Sequence, residues 1–246
     1  MRHPALVGAP AHGGTGSRSA TRQQRDESQD RTGRGPPTRT KARSLVPATC
    51  ERPPLTSPGP DGPSLTGALV VVRRFRAGDV AAFLAYRDDP GTASLQGWDV
   101  PYLLERAEAF VSWAASAPLG VAGEWCQLAI QRRDDPGLVG DVGVHTLAPG
   151  AEPDGASSVE LGVTLAPGAR GAGLATEAIS LVCRHLAAEL GVRRAIAFVD
   201  GDNVSSAALF RRLGFALGAT ASGPGGGVEH RFVLDLHPAP GRRGPR

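Results

Sequence analysis

The feature that most constrains this chain is the run Val163-Thr-Leu-Ala-Pro-Gly-Ala-Arg-Gly-Ala-Gly-Leu-Ala175. Strand-like residues give way there to glycine and alanine, and then to an amphipathic stretch. Leu174, Ala178, Leu181, Val182 and Leu186 fall on one helical stripe, and Gly191 ends it. A strand that feeds a helix through such a loop leaves backbone N–H groups and the positive end of the helix dipole facing one point, which suits an anion. Gly171 and Gly173 permit close approach or a positive φ. Arg170 adds a positive charge beside the phosphates. Taken alone, the same run also fits a tight β-to-α turn with no ligand. A dinucleotide fingerprint is disfavoured because the full G-x-G-x-x-G is absent and the loop lies mid-chain, and a Walker loop is excluded because no Gly-Lys-Ser/Thr follows.

The pattern around this run is that of a mixed α/β sheet. Ala68–Phe75 is apolar and β-branched, of strand length. Asp79 is placed to cap a helix through Val80, Phe83, Leu84 and Arg87, which Asp88-Asp-Pro-Gly91 then breaks. A second helix is expected over Pro101–Ala115. Strands are expected at Trp125–Gln131, Leu138–Thr146 and Ser157–Leu165, with a turn at Asp134-Asp-Pro-Gly137. Val192–Val199 reads as a central strand, Ser205–Leu213 as a short helix stopped by Gly214, and Phe215 and Val228–Leu236 as closing strand sequence.

Charge separates the ends of the chain from the middle. Residues 1–65 carry ten Lys/Arg against five Asp/Glu, and residues 66–246 carry seventeen against nineteen. The basic excess therefore belongs to the first segment, and nucleic-acid binding is not expected of the folded part. That segment is rich in Gly, Pro, Ser, Thr and Arg and has no Phe, Trp or Tyr, so it is expected to be a disordered basic extension. Met1 is the one methionine, so a start near Leu65–Val70, with the segment an over-extension, is a second expectation. The domain is expected over 66–237 and a disordered tail over 238–246. Cys50, Cys126 and Cys183 are widely spaced with no C-x-x-C pair, which suggests neither a disulfide framework nor a metal site and fits a reducing cytoplasm. No run approaches about 18 uninterrupted apolar residues, so no membrane span is expected.

Arg170-x-x-Gly173-x-Ala175 resembles the Q/R-x-x-G-x-G/A signature of the GNAT acyltransferases. The longer run from Leu165 through Glu177 is similar to the branch that includes ribosomal-protein N-terminal alanine acetyltransferases. Asn203-Val-Ser-Ser206 followed by Leu213-Gly-Phe215 resembles that branch's N-x-x-S…L-G-F segment, and Arg73–Arg76, Asp79 and Arg87-Asp-Asp-Pro90 resemble its opening strand and helix. The resemblance covers about 68–237. It implies the GNAT acyl-CoA N-acyltransferase fold: a mixed, mostly antiparallel sheet with flanking helices and a splayed parallel pair, here Ser157–Leu165 and Val192–Val199.

The resemblance implies acetyl-CoA as the acyl donor, no metal, and a primary amine as acceptor, on a protein N-terminus or a small molecule. Main-chain groups of Val163, Thr164 and Leu165 would meet the pantetheine. The N–H groups of Arg170, Gly171, Ala172, Gly173, Leu174 and Ala175 would hold the pyrophosphate. Asn203 would bond the pantetheine arm, or cap the following helix, or both. Ser206 would protonate or stabilise the leaving thiolate, or serve as a helix cap. Many relatives place a tyrosine four residues before the Gly of this block; here that position is Phe210, which cannot donate. Glu160 is the first candidate for the base that deprotonates the amine, directly or through water, against a plain solvated carboxylate. Asp141 and His145 are weaker candidates. Trp98, Asp99 and Tyr102 lie where the family places its acceptor-binding helices, and plain packing is the other reading. A non-catalytic acyl-CoA-binding module on the same fold is the alternative function, and a homodimer is left open.

Overall fold

The computed structural model describes residues 63–96, 98–222 and 227–236. The expected extension (up to residue 62) and the tail over 238–246 lie outside the described residues. Eight strands run in chain order as β1 Leu65–Thr66, β2 Val70–Arg73, β3 Trp125–Arg132, β4 Leu138–Thr146, β5 Ser158–Leu165, β6 Arg194–Asp200, β7 Ala216–Ser222 and β8 Val228–Asp235. Among the described residues the α-helices are α1 Val80–Arg87, α2 Pro90–Gln96, α3 Leu104–Ser116, α4 Leu174–Leu190 and α5 Val204–Arg212. The strands form one sheet in the order β1-β2-β3-β4-β5-β6-β8-β7. Every neighbouring pair is antiparallel except β5–β6.

Strand alternation sends the two faces of the sheet into two cores. Val70, Val72, Leu128, Ile130, Val142, Val144, Val159 and Leu161 face α4, whose Leu174, Ala178, Ile179 and Leu186 are buried against them. The opposite face meets α1 and α3 through Phe83, Tyr86, Phe110 and Val111. Phe83 stacks on Phe110 at 4.6 Å and meets Phe75 edge-on at 5.7 Å.

Asp79 does not cap α1 with its side chain. It is buried, takes two hydrogen bonds from the Arg73 guanidinium (2.8 and 2.9 Å), and accepts the N–H of Arg76. The Asp-Asp-Pro-Gly break starts a further helix: Asp89 Oδ2 accepts the N–H of Thr92 (2.7 Å), and Pro90 takes the first helical position, where a missing N–H costs nothing. The following helix begins at Leu104 and not at Pro101, because the Tyr102 N–H is taken by Asp88 Oδ1 (2.8 Å). The opening strand shortens to Val70–Arg73 because Gly67 turns the chain, its N–H bonding Val70 O, so that Leu65–Thr66 doubles back as an edge strand. Glu177, in the first turns of α4, accepts the N–H groups of Ala68, Leu69 and Val70 at 2.7, 2.6 and 2.8 Å, and so fixes that turn to the helix.

Candidate active site

The parallel pair β5–β6 is hydrogen-bonded over three rungs only, Ser158–Arg194, Val159–Ala195 and Glu160–Ile196. Beyond Glu160 the strands part. β5 continues against β4 as far as Leu165, and β6 continues against β8 as far as Asp200. The wedge between them leaves main-chain groups of β5 without a strand partner on that side. The carbonyl of Val163 instead accepts from Gln96 Nε2 (3.3 Å), and that of Leu165 from Arg170 Nε (3.1 Å).

The wedge opens into a cavity of about 880 Å³. Its wall takes Val163, Thr164 and Leu165 from β5, and Arg170, Gly171, Gly173, Leu174 and Ala175 from the loop and first turn of α4. Asn203, Ser206 and Arg212 come from α5 and its entry, and Thr92 and Gln96 from α2. Ala172 is exposed and is not part of this wall. Gly171 and Gly173 both have φ near +80°, at 80° and 79°. An L side chain at either position would be strained, and Gly173 is itself the N-cap of α4, with no side chain closing the helix end. The first N–H groups of α4 have no partner within the helix, and Gly173, Leu174 and Ala175, which carry that helix end and the positive end of its dipole, lie in the cavity wall.

Arg170 does not reach freely toward that helix end. Its Nη2 donates to Thr92 Oγ1 (2.6 Å), which in turn donates to Asp89 Oδ2 (2.6 Å). This chain of contacts ties α2 to the loop that precedes α4. Sequence reading missed α2 and with it Thr92 and Gln96. The signal was present in Asp89, Pro90 and Thr92 as N-cap, N1 and N3.

Asn203 Oδ1 accepts the Ser206 N–H (3.0 Å), so Asn203 caps α5 while lining the cavity. Ser206 thus bonds the cap through its main chain, and its hydroxyl is not used by the cap. Phe210 is buried against Phe215 and Phe232, with centroids at 5.0 and 6.2 Å.

Glu160 sits at the last paired rung, on the sheet face opposite α4, and does not line the cavity wall itself. Its side chain is 13% exposed, and burial raises the carboxyl above the ordinary glutamate range against the pull of His145. Asp141 is 1% exposed and already accepts from Tyr86 Oη, Gln127 Nε2 and Arg87 Nη2. It is committed to binding α1 to the sheet.

Trp98 and Tyr102 both pack against the α1 side of the sheet. Trp98 Nε1 donates to Arg87 O (2.9 Å), and its ring lies 4.0 Å from the Arg87 guanidinium. Tyr102 is buried against Phe83 at 5.9 Å. Asp99 is exposed. None of the three is in the cavity wall. Among the described residues no group of three or more His, Cys, Asp or Glu could hold a metal ion, and no helix is long and apolar enough to cross a membrane.

A family model for an acetyltransferase (GNAT) domain matches residues 70–216. A GNAT-family acetyltransferase from Bacillus anthracis aligns with a TM-score of 0.58 at 17% identity, over 70% of this chain and 98% of that one. An acetyltransferase from Agrobacterium tumefaciens aligns with a TM-score of 0.53 at 22% identity, over 70% and 94%. A spermidine N-acetyltransferase from Vibrio cholerae, solved in complex with CoA and spermine, aligns with a TM-score of 0.56 at 14% identity, over 69% and 97%. No curated protein sequence matches the chain.

Proposed function

Because the chain belongs to the GNAT acetyltransferase family, we propose that it transfers an acetyl group from acetyl-CoA to a primary amine by direct attack in a ternary complex. The carrying observation is that β5 and β6 stop pairing at Glu160–Ile196 and open a cavity that ends at the glycine-led N-terminus of α4. The pyrophosphate binds N–H groups of the Gly171–Ala175 stretch, the Arg170 N–H being already donated to Pro167 O, with the charges of Arg170 and Arg212 at the rim. Pantetheine lies along β5 and bonds the main chain of Val163–Leu165, with Thr164 and Asn203 beside it.

At the acetyl end, the amine must first lose a proton. Glu160 accepts it, directly or through one water; burial raises the proton affinity of its carboxyl. The amine nitrogen attacks the thioester carbonyl, the C–N bond forms and the C–S bond breaks. The departing thiolate takes its proton from the Ser206 hydroxyl, because Phe210 has none to give, and the Ser206 oxygen regains one from the attacking nitrogen, which loses its second proton as the amide forms. The acceptor is a protein N-terminus or a small amine; the CoA- and spermine-bound neighbour supports the small-amine option. The widely spaced cysteines, with no C-x-x-C pair, support a reducing cytoplasm as the place of the reaction.

The test is acetyl-CoA binding by calorimetry to the wild type and Gly173→Glu, with thiol release measured across an amine panel. A carboxylate at Gly173 repels the pyrophosphate and occupies its place. Unchanged affinity in a folded variant overturns the site. Binding without turnover on any amine replaces the enzyme with a non-catalytic acyl-CoA-binding module.

A further inference from the structure

On the sheet face opposite α4, three side chains from three adjacent strands stand in a row. Trp125 of β3 pairs with His145 of β4, and His145 pairs with Glu160 of β5. The indole and imidazole rings stack with centroids 4.7 Å apart and planes 8° from parallel. On its other side, His145 Nδ1 lies 3.6 Å from Glu160 Oε2. That nitrogen is buried and has no hydrogen-bond partner. The gap exceeds hydrogen-bond length by a few tenths of an ångström, which a small χ adjustment closes.

The other groups on this face are accounted for. Gln127, two residues along β3 from Trp125, donates to Asp141, four residues along β4 from His145. Ile196 of β6, opposite Glu160, is apolar. Glu229 of β8 adds negative charge that raises the Glu160 carboxyl, and His145 opposes it. Arg194 and Arg231 on the β6 and β8 side are taken by Glu152, Asp154 and Asp235.

We propose that His145 is the positioning residue of the proposed base, accepting through Nδ1 the proton that Glu160 removes from the acceptor amine. The inference rests on Glu160 being that base. The neutral imidazole carries its proton on Nε2 and leaves the Nδ1 lone pair facing Glu160. The acceptor ammonium gives one proton to a Glu160 carboxylate oxygen: the N–H bond breaks and an O–H bond forms. That proton passes to Nδ1, which restores the carboxylate beside an imidazolium. The π face of Trp125 stabilises the cation, and the imidazolium later returns the proton to water. The stacking and the cross-strand pairing hold the ring in the plane this transfer needs.

The test uses the full-length protein. Ring resonances of its six histidines are followed by NMR through a pH titration in wild type and Glu160→Gln, with His145 assigned by its loss in His145→Gln. The His145 ring titration should differ between wild type and Glu160→Gln, because the two side chains face each other at 3.6 Å. In parallel, the pH profile of kcat is recorded for His145→Gln and His145→Asn with an amine the enzyme turns over. Its acid limb should move upward in both variants while KM for acetyl-CoA stays constant. An unchanged His145 midpoint in Glu160→Gln overturns the proposal, and if that variant is also inactive the base assignment survives alone. A shifted midpoint with wild-type turnover in Glu160→Gln overturns Glu160 as the base, and the catalytic use of the pair falls with it.

Discussion

The side-chain amide of Gln96 donates to the main-chain oxygen of Val163 across the wedge between β5 and β6, at 3.3 Å. Gln96 is exposed at the end of α2, and its carboxamide has the same chemistry as the amides of pantetheine. It occupies a carbonyl that the proposed donor needs, so donor binding must displace it.

Gln96→Ala therefore removes a competitor and should tighten acetyl-CoA binding. An exposed neutral hydrogen bond contributes about 0.5 kcal/mol net, which is roughly twofold in Kd. Calorimetry on the two proteins reads this directly. Weaker binding by the variant would make Gln96 a donor ligand rather than a competitor.

Glu177 is expected to matter for stability and not for chemistry. Burial raises its pKa, but the N–H groups of Leu69, Ala68 and Val70 outweigh that and hold the carboxyl below its ordinary value. A lowered folded-state pKa means that the stabilisation is complete above the unfolded value and is lost as pH falls through the folded one. Glu177→Gln should cost about 1 kcal/mol at neutral pH, after allowance for solvent screening. The deficit in thermal unfolding should shrink once the medium is acid enough to protonate the wild-type carboxyl. A deficit that is constant from pH 7 to pH 3 would remove the charge from the explanation.

The legible parts were those set by local pattern. The stripe from Leu174 to Leu186, the Gly191 stop and the strands at Trp125, Leu138 and Ser158 each announce themselves within a few residues. What stayed hidden depends on partners distant in sequence. Nothing near Asp79 separates a cap from a carboxylate buried under Arg73. Trp98 reads as a candidate pocket aromatic until the Arg87 guanidinium is found over its ring. The pairing of His145 with Glu160 follows from the register of β4 on β5, which the sequence of neither strand fixes alone. All seven residues of β7 are exposed, so its sequence carries no alternation that marks it as a strand distinct from Phe215.

Two glycines beside the cleft separate backbone crowding from side-chain freedom. A Cβ at Gly140 would lie 2.2 Å from the Thr164 carbonyl oxygen on the neighbouring strand, and backbone cannot yield as a side chain does. A Cβ at Gly162 meets nothing within 4 Å. Gly140→Ala should therefore cost about 3 kcal/mol or more and weaken acetyl-CoA binding by displacing β5, whereas Gly162→Ala should stay within about 0.5 kcal/mol of wild type. Chemical denaturation of the pair checks this, and equal losses would mean that the β4–β5 register differs from the one described.

Asn203 and Ser206 share one hydrogen bond but should fail in different ways. The Asn203 side chain accepts the Ser206 N–H, so Asn203→Ala removes the α5 cap and should cost about 1 kcal/mol of stability. Ser206→Ala keeps that N–H and with it the cap, so unfolding should be unchanged within about 0.5 kcal/mol. It deletes the hydroxyl proposed to protonate the thiolate, and thiol release should fall by about 10² while the Kd for acetyl-CoA holds. A Ser206→Ala enzyme with wild-type turnover would mean that the leaving thiolate is protonated by water. A Ser206→Ala protein that is destabilised as much as Asn203→Ala would show that the hydroxyl serves the helix instead.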